Sequence, residues 1–389
     1  MKFAIISVAV LLVNLASAAL EPIRRATNST PEGRILLGSP GHIYIVKWVP
    51  GIDVGFRILL DEKVPAVASW MAFAPPNHLY VVDESSTALY LYELDLNNNK
   101  LVPVEVQEAS SGVVHLEFNA DKTRLLGSAY GNGTIDIWNV ENGGLSLIKT
   151  ITTPNKGPQV ISHPHQANLD PTGRFFAIND LGTDSIIIVD SKSDAYEIID
   201  IIYIMPEGCG PRHGVFYPRG AYMATSYMVV CEKSNRVLVY SVKYESDTLA
   251  LKQIQQESTF TNDSPPANES AAAAGSIVLM PDNQSLYVTN RLTGNETDYI
   301  TSFKIDSLNY SVPRLIPSHT FSTHGLVPRM ISPSNEGKYI FAANQGGRVG
   351  LIAMERMMDG SLSDRPMIGL WGDMFGEEDS GPRFVQQIR

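Results

Sequence analysis

Cysteine and positive charge are both scarce in this sequence. Among 389 residues there are two cysteines, Cys209 and Cys231, and 30 lysines and arginines against 41 aspartates and glutamates, a formal net charge of −11. Two cysteines cannot make a disulfide-stapled scaffold, so the fold must be held by burial. A basic face able to neutralise phosphates is not in prospect, which argues against a nucleic-acid partner. The same acidity argues against docking on an anionic membrane. Long apolar runs are missing as well: none reaches the roughly 20 residues of a membrane span. No long segment carries a helical period.

The longest apolar run, Phe3 to Leu15, follows Lys2 and precedes Ala16-Ser17-Ala18. A positive start, a short hydrophobic stretch and small residues before a cleavage point predict a secretory leader over residues 1–18. Residues 19–389 are then one mature domain, expected outside the cell, free or associated with the cell wall. Asn-x-Ser/Thr triplets at Asn28, Asn132, Asn268, Asn283, Asn295 and Asn309 are glycosylation candidates in that compartment. A seventh, Asn262, is weakened by Pro265.

What the chain does have is many runs of four to eight residues rich in Val, Ile, Tyr and Phe, such as 78–83, 175–178, 185–189, 236–242 and 285–289. Gly, Pro, Asn and Asp break them, which is the all-β signal. The turns recur: Pro75, Ala120, Pro171, Pro218, Pro281 and Pro333 punctuate six similar units. A period of 40–50 residues with four strands per unit is the signature of a β-propeller. The longest interval holds the insert 261–274, polar and then alanine-rich, read as an exposed loop. Segments 34–37, 42–48 and 56–61 offer three strands lacking a first one, and 382–388 offers a first strand with nothing after it. Together they predict a seventh blade that closes the ring and leaves no sheet edge at the seam.

In such a ring the start of each inner strand and the end of the second strand gather on one face. His165 and Arg212 sit six residues before Pro171 and Pro218. The second strands end at Asp180, Glu232, Arg291 and Gln345. A His, two Arg and carboxylates are therefore expected at one mouth of the channel. Cys209 and Cys231 fall at that end of one hairpin and are expected to pair. The spacing His163-x-His165, with His213 nearby, invites a metal reading, but the arginines would repel a cation and no third ligand motif is clear.

His163-Pro-His-Gln-Ala-Asn-Leu-Asp-Pro-Thr-Gly-Arg174, Asn179-Asp-Leu-Gly-Thr-Asp184, Gly208-Cys-Gly-Pro-Arg-His213, Ser285-Leu-Tyr-Val-Thr-Asn-Arg291, Pro328-Arg329, Phe341-Ala-Ala-Asn-Gln345 and Gly381-Pro-Arg-Phe-Val385 carry a family likeness. Together they resemble the lactonase family of seven-bladed β-propellers, which includes bacterial 6-phosphogluconolactonases and fungal carboxy-cis,cis-muconate cyclases. The resemblance implies metal- and cofactor-free acid–base chemistry that opens or closes a lactone on a small anionic substrate. It implies His165, Arg212, Glu232 and Arg291 as catalytic groups. His163, His213, Asp180 and Gln345, expected at the same mouth from their places on the strands, are taken to line the substrate. Ser276 stands where the family often has an acidic residue. The alternative is a secreted glycoprotein propeller that binds a partner or a wall component without catalysis.

Overall fold

The computed structural model describes residues 33–49, 55–156, 159–307, 312–363, 367–376 and 379–389, with the side chains of Met367 and Ile368 left out. The expected leader, Asn28 and Asn309 lie outside these residues. Seven antiparallel sheets form a ring of blades. Two short 3-10 turns, Glu141–Gly143 and Gly372–Phe375, are the helical pieces among the described residues. The innermost strands are Met71–Ala74 in blade I, Val113–Phe118 in II, Pro164–Leu169 in III and Pro211–Tyr217 in IV. Ala273–Leu279, Leu326–Pro333 and Phe384–Gln387 serve blades V, VI and VII.

The strand period of two explains why the ring holds. In blade I, Leu79 and Val81 face blade VII while Tyr80 and Val82 face blade II. In blade III, Phe176 and Ile178 face blade II while Phe175 and Ala177 face blade IV. Both faces of each sheet are therefore apolar, and seven buried clusters fill the seven gaps between neighbouring blades. Each Leu, Ile or Phe buried this way contributes about 1.5–3 kcal/mol.

The closing blade is ordered with Gly55–Val67 outermost, Gly33–Val49 next and Phe384–Gln387 innermost. The C-terminal strand pairs Gly38 with Phe384 and Ile35 with Gln387, as ring closure requires. The two strands expected over 34–37 and 42–48 are one continuous 17-residue element. Its bend is absorbed at Gly41, whose φ of 77° suits glycine, and by a register shift between Pro40 and His42. The insert also ends earlier than expected. Ala273 and Ala274 already belong to the inner strand of blade V, where Ala274 is fully buried.

One irregularity repeats around the ring. The inner strands carry a register shift at Val113/His115, Pro164/Gln166, Pro211/Gly214, Ala274/Ile277 and Pro328/Met330. A bulge leaves one residue unpaired and re-aims its side chain. The residues in the bulges are Val114, His165, the pair Arg212 and His213, the pair Gly275 and Ser276, and Arg329, in successive blades II to VI.

Phe384 couples closure to the channel, since its ring meets Trp70 edge-on at 5.5 Å and is 1% exposed. Phe384→Ala should cost roughly 3–5 kcal/mol by opening a cavity at the seam. Urea unfolding of the purified variant measures this.

Candidate active site

Register identifies which side chains share a level. Pro164 opposes Asp180, and Pro211 opposes Cys231. The counterpart of Glu232 in blade III is thus Leu181, not Asp180. The backbone agrees: Glu84, Tyr130, Leu181 and Glu232 donate their N–H groups to Val67, Gly112, His163 and Gly210, each at the lead-in to an inner strand. Arg291 and Gln345 take the same place, one residue past the partners of Ala274 and Pro328.

That one-residue offset moves Asp180 off the mouth. Its buried carboxylate accepts the N–H groups of His163 at 2.7 Å, Gly182 at 3.0 Å and Thr183 at 3.2 Å, and the hydroxyl of Ser162. Asp83 does the same in blade I, holding the N–H groups of Val67 and Ser85. Asp180 organises the turn instead of facing the mouth: three backbone N–H groups converge on its Oδ1 and the Ser162 hydroxyl takes its Oδ2. In blade IV the positions of Ser162 and Asp180 are taken by Cys209 and Cys231. There a disulfide with a Cα–Cα distance of 4.7 Å replaces the hydrogen bond and ties down the strand starts that carry Arg212 and Glu232.

The expected quartet does come together in part through direct contact. Glu232 Oε2 lies 2.8 Å from Arg212 Nε and 2.8 Å from Arg291 Nη2. Arg212 Nη1 donates to the carbonyl of Gly275 at 3.0 Å, and Arg291 Nη2 to that of Ala274 at 3.0 Å. A Cβ at Gly275 would stand 2.4 Å from Thr289 Oγ1 and 3.0 Å from Arg291 Nε, so glycine is needed beside the guanidinium groups. Both arginines are almost fully buried, while Glu232 keeps partial access to solvent. Burial raises the Glu232 pKa and the two guanidinium groups lower it by more, so the carboxyl is ionised.

A second cluster completes the mouth. Arg329 Nη2 lies 2.6 and 2.7 Å from the two oxygens of Glu84, and Arg383 Nη1 lies 3.6 Å from Glu84. Gln345 accepts from Arg329 Nη1 at 3.4 Å. Burial pushes Glu84 up and Arg329 pulls it further down, leaving it ionised below its ordinary value. Glu84, Arg329 and Arg383 were not among the expected ligands. The signal existed: Pro328-Arg329 and Gly381-Pro382-Arg383 repeat the opening that nominated Arg212. Four guanidinium groups thus share two carboxylates at this mouth, a local concentration of positive charge in an acidic protein.

The histidines divide into two roles. His163 stacks on Tyr130 at 4.5 Å, and its Nδ1 lies 2.6 Å from the Tyr130 carbonyl, so it is anchored at the rim. His165 is buried, and its Nδ1 has no hydrogen-bond partner. Burial first, and then the charges of Arg212, His213 and the other arginines, drive its pKa well below 6.5. His165 is therefore a neutral imidazole with a free ring nitrogen. His213, 5.1 Å from His165, is neutral for the same reasons. One level deeper, Trp70, His115, His213 and Phe384 close on one another, with ring centroids 4.2–5.6 Å from Trp70. They make an aromatic floor to the site.

A sequence model of the family described as "Lactonase, 7-bladed beta-propeller" matches residues 59–359, more than half of the chain. The chain belongs to this lactonase family. Among its relatives is a protein of Arthroderma benhamiae named "Probable 6-phosphogluconolactonase", 31% identical over 250 residues. That alignment covers 61% of this chain and 61% of the relative's length. The 6-phosphogluconolactonase of Bacillus subtilis is 24% identical over 318 residues, covering 78% and 86% of the two chains. The periplasmic gluconolactonase of Pseudomonas aeruginosa shares the fold with a TM-score of 0.77 at 20% identity, over 92% of this chain and 99% of that one.

The ion clusters make a pH-dependent contribution to stability whose sign is fixed. Glu84 and Glu232 have folded pKa values below the ordinary 4.5. Their contribution is present above that value and is lost as pH falls through the depressed folded values. Acid unfolding between pH 6 and 3 should therefore be less steep in a Glu84→Gln, Glu232→Gln double variant. Urea midpoints across that range measure it.

Proposed function

We propose that this lactonase-family propeller hydrolyses a sugar lactone bearing an acidic group, of the 6-phosphogluconolactone type, at the mouth built by Arg212, Glu232, Arg291 and His165. The observation that carries the reading is a buried imidazole with an unpartnered Nδ1 beside guanidinium groups that outnumber the carboxylates they touch. An arginine holds a carboxylate or phosphate through paired hydrogen bonds. The substrate's acidic group is drawn to Arg329 and Arg383, leaving the lactone carbonyl toward Arg212 and Arg291.

In the reaction a water oxygen bonds to the lactone carbonyl carbon while His165 takes its proton. The carbonyl oxygen becomes an oxyanion facing the guanidinium groups, already in place where the charge develops. The ring C–O bond then breaks, and the imidazolium returns its proton to the departing alkoxide. Water and lactone become a hydroxy acid, with His165 regenerated and no cofactor called on. Glu232, held by two arginines, is a poor base; its role is to fix both guanidinium groups. The anionic substrate also offsets the arginine field that keeps the His165 pKa low, so binding makes the base stronger. Closure of a muconate, in which a carboxylate oxygen bonds to a conjugated double bond and a proton goes to the neighbouring carbon, is a different reaction open to the same groups; the names of the relatives favour hydrolysis.

Export belongs to the same reading. Asn132 and Asn268 are exposed, with Thr134 and Ser270 donating to their side-chain oxygens. The amides of Asn283 and Asn295 are partly buried and donate to the carbonyls of Arg219 and Pro265, so we assign glycans to the first pair in preference.

Arg212→Met should lower kcat/KM for 6-phosphoglucono-δ-lactone by roughly 10²–10³-fold, with an unchanged circular dichroism spectrum. Because His165 works unprotonated, wild-type kcat/KM should fall only as pH drops through its depressed pKa, so the acid limb lies below 6.5. An acid limb at or above that value, or full activity in Arg212→Met, counts against the reading.

A further inference from the structure

The channel has a second mouth, on the far side of the aromatic floor. Two residues beyond His115, Gln166, His213 and Ser276 along their inner strands come Glu117, Asn168, Val215 and Val278. These line a cavity of about 500 Å³ that also takes in Phe216, Ile277 and Leu279 and the turns at Pro171, Pro218 and Pro333. Its walls are mostly apolar, and its polar groups converge from adjacent blades II and III.

Glu117, partly buried where it faces this cavity, differs from the carboxylates held inside the ring. Asp136 is held by Ser110 and Thr150, Asp170 by Thr172 and the N–H groups of Arg174 and Phe175, and Asp298 by Thr293 and Val327. Glu84 and Glu232 have their arginines. Among the described residues Glu117 has neither a hydrogen bond nor an ion pair. Lys122, across the hairpin turn, acts on it only at a distance and sits with its Nζ 5.9 Å from the Phe118 ring. Burial pushes the Glu117 carboxyl up to about 8. Asn168 spends its amide N–H groups on Gln166 and Tyr227, which leaves its carbonyl oxygen as an acceptor. Arg219, exposed at the rim, would repel a ligand that carries positive charge at its outer end.

A carboxyl without a protein partner and a carbonyl oxygen with free acceptor capacity face a mostly apolar cavity, and an ammonium there would ionise the one and donate to both. We propose that this mouth is a second binding site, taking a primary amine on a compact apolar body. The ammonium is seated between Glu117 and the Asn168 oxygen, and the body lies against Val215, Phe216, Ile277 and Leu279. The aromatic floor keeps it separate from the arginine mouth.

The probe is 2-phenylethylamine, with 2-phenylethanol as the uncharged isostere, titrated by calorimetry and by ligand-observed NMR. The amine should bind saturably and at least about tenfold more tightly than the alcohol, and Glu117→Gln should remove that difference. The glutamine is isosteric, so lactone turnover should be unchanged. Added 6-phosphogluconate should not compete. Absence of saturable amine binding, equal binding of the alcohol, unaltered amine binding in Glu117→Gln, or competition by 6-phosphogluconate would each overturn the proposal.

Discussion

Two guanidinium groups from neighbouring blades share one carboxylate oxygen, and much of the channel is arranged around that contact. Arg212 and Arg291 are buried beside each other, a placement that costs several kcal/mol per ion without compensation. Glu232 supplies the compensation from the end of the strand paired with that of Arg212. The carbonyls of Gly275 and Ala274 take further N–H groups, and the absence of a side chain at Gly275 leaves room. The disulfide one residue before Glu232 clamps the strand ends from which these groups project. A cluster so constrained presents positive charge without having to reorganise when an anion arrives.

The same field governs the histidines. Burial and the arginines together make His165 and His213 neutral, so neither adds to the repulsion, and an anionic ligand relieves what the arginines impose. Arg329 and Arg383 extend the basic arc through blades VI and VII to Glu84 in blade I. Arg383 immediately precedes the strand that closes the ring, its N–H bonded to the Gly38 carbonyl, so the seam that completes the fold also completes the mouth.

The blade count and the closure were legible because they rest on features that sequence carries directly: period-two apolar runs, recurring turn residues and an orphan first strand at the C-terminal end. Arg212, Glu232 and Arg291 were legible for the same reason. Register was not. The loop after Pro171 is short and the one after Pro218 is longer, so distance from the turn does not locate equivalent residues. A slip of one residue exchanges the two faces of a strand, which is how Asp180 was placed beside Glu232 when its true counterpart is Cys231. Glu84 escaped notice because its partner, Arg329, is 245 residues away and meets it only across the channel.

The central claim is that the arginine mouth, and not another surface, receives the acidic lactone. The most direct measurement is a crystal structure with the hydrolysis product 6-phosphogluconate bound. The account predicts the product's carboxylate against Arg212 and Arg291, its phosphate against Arg329 and Arg383, and a hydroxyl within hydrogen-bond reach of His165 Nδ1. A product seated elsewhere on the ring, with these four guanidinium groups untouched, would contradict it.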